Sequence, residues 1–103
     1  MDKVFKALSE PTRRRILQLL REREMTAGEL ADCFDLSKPT LSGHFGVLRE
    51  ADLVSSDKTG TTITYRLNVS TLEEALLGFA EVFGIGEPKV KTSNPRKTGG
   101  SRA

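Results

Sequence analysis

The chain lacks most of what an enzyme, a secreted protein or a membrane protein needs. Its single cysteine, Cys33, excludes an internal disulfide and suits a reducing cytoplasm. No apolar run approaches the length of a transmembrane span. Arg13-Arg14-Arg15 interrupts the N-terminal region where a signal peptide would carry its apolar segment. These features lead us to expect a cytoplasmic protein with no membrane span. Its one histidine, His44, belongs to no Ser/His/Asp arrangement, and no paired-carboxylate or phosphate-loop constellation is present. No catalytic residue and no cofactor are therefore expected. Net charge is also scarce, at +2 over 103 residues. Beyond Ile85, five cations (Lys89, Lys91, Arg96, Lys97 and Arg102) face one acid, Glu87, so this tail carries +4 and the remainder −2. Phosphate affinity in the folded part must come from individually placed cations and helix N-termini.

What is present organises as one domain, expected over residues 1–84, followed by a basic tail at 85–103. The Lys, Ser, Pro and Gly content of the tail predicts disorder. Val4, Phe5 and Leu8 predict a short helix over Lys3 to Ser9. Glu10-Pro11 starts a second, because proline is tolerated in a first turn whose N–H groups have no helical partner. Ile16, Leu17, Leu19 and Leu20 form its buried side. Thr26-Ala27-Gly28-Glu29 has the form of a capping box and opens a third helix to Phe34. Ser37 caps a fourth, in which Leu41, Phe45 and Leu48 recur at i, i+4 and i+7 and face inward. Leu53–Ser56 and Thr61–Leu67 read as paired strands around a turn at Asp57-Lys58-Thr59-Gly60. Ser70 with Glu73 forms a second capping box and opens a last helix to Phe83, ended by Gly84-Ile85-Gly86.

The third and fourth helices, joined across Asp35-Leu36-Ser37, form a helix-turn-helix, and the hairpin that follows is a wing. The expected fold is mainly α (α+β): a winged helix-turn-helix of about five helices and a two-stranded β-hairpin. Its second helix is shaped to enter a DNA major groove. Candidates for DNA contact are Ser37, Lys38, Pro39, Thr40, Ser42 and Gly43 on the outer face. Lys38 can donate to guanine or phosphate, Thr40 and Ser42 can donate or accept, and Gly43 allows close approach. His44 divides equally between a partly buried role and DNA contact. Arg13 and Arg14 divide equally between a solvated face and phosphate binding. Lys58 and Thr59 at the wing tip suit backbone or minor-groove contact.

The stretches Phe5–Leu17, Thr26–Ala31, Ser37–Ser42, His44-Phe45, Leu48–Ala51 and Leu53-Val54 together resemble the ArsR (ArsR/SmtB) family of bacterial winged-helix repressors. Met25–Glu29 and Ser37–Pro39 look most like its SdpR-like autorepressor branch. The resemblance covers about residues 3–84. It implies a homodimeric repressor of an operon, binding an inverted-repeat operator in double-stranded DNA. The family's metal sensing does not carry over. Its Cys-x-Cys ligand positions hold Asp32 and Phe34 here, with Cys33 between them, and no histidine follows His44. No metal ligands are assigned. Gly43 replaces the first of two histidines common in the family, and Asp52 replaces a usual glycine.

A small domain benefits from sharing apolar surface with a second copy. Val4, Phe5, Leu8, Leu72, Leu76, Phe79 and Phe83 are the candidate dimer contacts. Two alternatives remain open: a winged-helix protein-interaction module, and a thiol- or ligand-responsive regulator answering to an unknown inducer or anti-repressor.

Overall fold

The computed structural model describes residues 2–86; the rest of the expected basic tail lies outside the described residues. Helix α1 spans Asp2–Leu8 and α2 spans Pro11–Glu22. Glu10 caps α2 by accepting from the Arg13 amide at 3.1 Å, and Pro11 takes the first helical position. A two-residue strand, β1 (Met25–Thr26), leads directly into α3 (Ala27–Ala31). The capping box is complete: the Glu29 amide donates to Thr26 Oγ1 at 3.0 Å, and the Thr26 amide donates to Glu29 Oε1 at 2.9 Å. Helix α4 (Lys38–Glu50) starts at the Ser37 cap, and Leu41, Phe45 and Leu48 are buried beneath it as the periodicity requires. Strands β2 (Val54–Thr59) and β3 (Thr62–Leu67) make the wing, and α5 (Val69–Phe83) closes the described region.

The sheet has three strands rather than two, in the order β1-β3-β2, all antiparallel. Met25 pairs with Tyr65 and Thr26 with Thr64, so the start of α3 is bonded to the wing. The core runs through all five helices and the sheet. Ile16, Leu30, Leu48 and Leu53 are its largest fully enclosed side chains. Phe45 stacks on Tyr65 with ring centroids 4.4 Å apart, which packs α4 against β3.

Four local expectations are corrected. Helix α3 stops at Ala31, and the Cys33 and Phe34 amides close a turn on the Leu30 and Ala31 carbonyls instead of continuing to Phe34. The hairpin is longer than expected: Asp57, Lys58 and Thr59 belong to β2, and the chain reverses at Gly60-Thr61, where Gly60 has φ +62°. The Ser70/Glu73 capping box does not form. Helix α5 begins earlier, at Val69, with Asn68 in the cap position and no side-chain cap bond. The Asn68 amide donates instead to the Leu53 carbonyl at 2.8 Å. Val4, expected at a dimer contact, is enclosed in the chain's own core.

Asp52 explains why Asn68 is held there. The Leu53 amide bonds to the Leu48 carbonyl and the Asp52 amide to the Arg49 carbonyl, a Schellman termination of α4. That motif places Asp52 at φ +61°, a conformation that favours glycine and that aspartate tolerates better than most residues. Its carboxylate accepts from Asn68 Nδ2 and from Thr71 Oγ1, each at 3.2 Å. The end of α4 is thus tied to the beginning of α5.

Candidate nucleic-acid interface

The outward start of α4 follows from its inward stripe. With Leu41, Phe45 and Leu48 committed to the core, Ser37, Lys38, Pro39, Thr40, Ser42 and Gly43 are all exposed. Ser37 Oγ accepts the Thr40 amide at 3.3 Å and donates to Thr40 Oγ1 at 2.9 Å. The cap therefore uses the serine proton internally and leaves the threonine hydroxyl its own proton to donate. Among the described residues no carboxylate lies within ion-pair distance of Lys38. A cation, two hydroxyls and an exposed glycine lie within the first two turns of α4. That combination matches the donors and acceptors on base edges and phosphates.

His44 sits at the flank of this surface and is half-buried. Its Nδ1 lies 3.1 Å from Nη1 of Arg13. Arg13 also donates from Nε to the Ala7 carbonyl at 2.8 Å and from Nη2 to the Lys6 carbonyl at 3.0 Å. Arg14 donates to the Leu8 carbonyl at 2.8 Å. Arg13 and Arg14 thus satisfy the Ala7 and Leu8 carbonyls at the C-terminus of α1, while the Lys6 carbonyl also accepts from the Ser9 amide and hydroxyl. The structure brings Arg13 against α4 and keeps Arg14 exposed. Burial pushes the Glu10 carboxyl up, but amide donation from Arg13 and Thr12 and the guanidinium charge of Arg13 outweigh it. The group is held below the usual carboxylate range.

Lys58 and Thr59 are exposed at the end of β2, opposite Ile63 and Thr62. Lower on the wing, Arg66 pairs with Asp57 across the hairpin and with Glu24 at 3.6 Å, which braces the wing against the segment before β1. These are surface pairs and contribute little to stability. Cys33 is exposed, its thiol 3.5 Å from the Glu29 carbonyl. Among the described residues no group of three or more His, Cys, Asp or Glu side chains is arranged to hold a metal ion, and no helix is long and apolar enough to cross a membrane.

A second surface lies on α1 and α5. Phe5, Leu8 and Leu72 are half-buried, and Phe5 meets Phe79 edge-to-face with centroids 5.1 Å apart. Phe79 in turn meets Phe83 at 4.9 Å. Only Ala75 of α5 is fully buried. Leu76 is 49% exposed, Leu77 67%, Val82 74% and Phe83 65%. Leu77 and Val82 were not among the sequence candidates. The adjacent pairs Leu76-Leu77 and Val82-Phe83 carried the signal, because a helix apolar beyond a single stripe is one that something else must cover.

Comparison with known proteins agrees with this arrangement. A family profile described as a helix-turn-helix domain matches residues 8–57. The transcriptional repressor SdpR of Bacillus subtilis (strain 168) is 45% identical over 76 residues, 74% of this chain and 84% of that protein. The arsenical resistance operon repressor of Staphylococcus xylosus is 38% identical over 73 residues, 71% of this chain and 70% of that one. Among solved structures, an ArsR family transcriptional regulator superposes with a TM-score of 0.75 at 28% identity, covering 81% of this chain and 91% of its own.

Proposed function

The chain belongs to the ArsR family of winged helix-turn-helix transcriptional repressors, near SdpR, and we propose that it works as a homodimer on an inverted-repeat operator. Members of this family are DNA-binding regulators and not enzymes. The observation that carries the reading is the pairing of two surfaces in one small domain. The polar, exposed start of α4 faces out at Ser37–Gly43, and the uncovered apolar face of α5 lies elsewhere on the molecule. Two copies joined through α1 and α5 would hold two α4 helices about 34 Å apart, one duplex turn, and read two half-sites together. Lys38, Thr40, Ser42 and Gly43 would contact bases, and Ser37 and Pro39 the adjoining backbone. Lys58 and Thr59 would reach phosphate or minor groove from the wing, with Arg14 as a further phosphate donor. Repression follows from occupying DNA that polymerase needs. The protein's own promoter is the first operator to test.

The regulator would be cytoplasmic and would not sense metal, since Asp32 and Phe34 stand where a thiolate site needs cysteines. The basic segment beyond the domain would add sequence-independent affinity for the duplex.

The test combines light scattering with fluorescence anisotropy on promoter DNA across a salt series. A dimer at micromolar concentration is expected. Its affinity should fall by about 0.9 log units per log unit of salt for each phosphate neutralised. A monomer, or a flat salt response, would overturn the reading and leave the protein-interaction module as the better account.

A further inference from the structure

Arg13 joins three elements through a single side chain. It stands on α2, donates to the Lys6 and Ala7 carbonyls that end α1, and reaches His44 on α4. A guanidinium has donors only and stays protonated. A hydrogen bond across the 3.1 Å to Nδ1 of His44 requires that nitrogen to present its lone pair, which places the proton of the neutral ring on Nε2. Among the described residues Nε2 has no protein hydrogen-bond partner. The ring belongs to the residue directly after exposed Gly43, at the edge of the surface proposed for DNA.

From this geometry we propose that Arg13 is a positioning residue for DNA recognition. It fixes the tautomer and orientation of His44 so that the Nε2–H serves as a donor to an acceptor on the duplex. The role rests on the DNA-binding reading above. It also gives α1 a direct connection to α4, since the same guanidinium that closes α1 holds the histidine. A bland account competes with it: Arg13 only caps α1, and its contact with His44 is packing.

Two measurements separate the accounts. His44 is the chain's one histidine, so a long-range proton–nitrogen correlation spectrum of the free protein reads its tautomer without assignment. The expected signature at mildly alkaline pH is a pyridine-type Nδ1 and a pyrrole-type Nε2. The second measurement is a double-mutant cycle in operator affinity, using Arg13→Gln and His44→Ala with melting curves for each. Arg13→Gln is expected to lose about two- to tenfold in affinity, the range one hydrogen bond carries, when His44 is present. It should lose nothing more when His44 is already alanine. His44→Asn retains an acceptor near Nδ1 but no donor near Nε2, and should bind like His44→Ala. His44→Gln retains the donor position and should bind better than either. Equal losses from Arg13→Gln in both backgrounds, with a salt slope shallower by about 0.9, would make Arg13 a direct phosphate contact and overturn the proposal. A predominantly Nδ1–H ring in a protein that binds its operator would also overturn it, and that arm holds even if Arg13→Gln fails to fold. An Nε2–H ring in a protein with no salt-dependent DNA binding would instead sink the repressor reading, and the role of His44 with it.

Discussion

Replacing Gly43 by alanine should make the protein more stable and a worse DNA binder. A glycine inside a helix costs about 1 kcal/mol against alanine, through the extra backbone freedom it loses. Nothing in the fold requires that cost. A Cβ built on Gly43 meets no atom within 4 Å, so Gly43→Ala should return nearly the full propensity difference. For a domain of this size that corresponds to a rise in melting temperature of about 4–8 °C. The opposite effect is expected at the duplex. If α4 lies in the groove with its backbone close to base edges at this position, the new methyl must push the helix out. Overfilling a close-packed contact costs about 1–3 kcal/mol, or roughly 5- to 150-fold in Kd. Gly46→Ala is the control. Its Cβ is equally unobstructed, and it lies nearly one turn further from the Ser37 cap. It should gain similar stability and keep its affinity to within about twofold. The assays are thermal melts at fixed protein concentration, because dimerisation couples to melting, and anisotropy on operator DNA. A Gly43→Ala protein that melts higher yet binds as well as the parent would refute the close approach. No rise in melting temperature would refute the helix argument.

Three further outcomes are expected. Lys38→Ala should weaken operator binding and reduce the salt slope by about 0.9 if the cation meets a phosphate, with melting almost unchanged because the side chain is exposed. Glutamates at Leu76 and Phe83 together should give a folded monomer by light scattering and a large loss of operator affinity, since both side chains lie outside the core; a folded dimer would disprove the α5 interface. The Glu29 carboxyl is held below its usual 4.5 first by the Thr26 amide, against a smaller opposing effect of burial, with help from Arg23. Its stabilisation is therefore complete above about pH 4.5 and is lost as pH falls through the lowered value. Glu29→Gln, which keeps a capping acceptor but not the charge, should melt somewhat lower at neutral pH and decline less in acid, converging with the parent once Glu29 is protonated.

Helix caps and inward stripes were readable because they are local. Ser37 with Leu41, Phe45 and Leu48 specifies both where α4 begins and which side it buries, and Thr26 with Glu29 does the same for the start of α3. Non-local bonds decided the rest. Ser70 and Glu73 satisfy the capping rule, yet Asn68 is drawn to Asp52 and Leu53, and α5 starts ahead of the box. Strand β1 has two residues, too few for any alternation to show, and only its pairing with Thr64 and Tyr65 defines it. The polar run Asp57–Thr59 read as part of the turn, so the wing looked shorter than it is. The position of the candidate site was legible, and so were its exposed hydroxyls and lysine. The work assigned to Arg13 was not. A long side chain bridging three helices leaves no periodic trace in the chain that carries it.

The strand that joins the start of α3 to the wing has a mechanical consequence. Met25 and Thr26 fasten the helix-turn-helix to β3 on one side, and the Phe45–Tyr65 stack fastens it on the other. The helix-turn-helix and the wing are thus joined through β3 and are not two separately hung parts. A force applied at the hairpin tip would therefore be passed to the start of α3 and to α4 together. Lengthening that tip would leave the orientation of α4 unchanged, whereas one extra residue between Arg23 and Thr26 would shift the wing and the helix-turn-helix against each other.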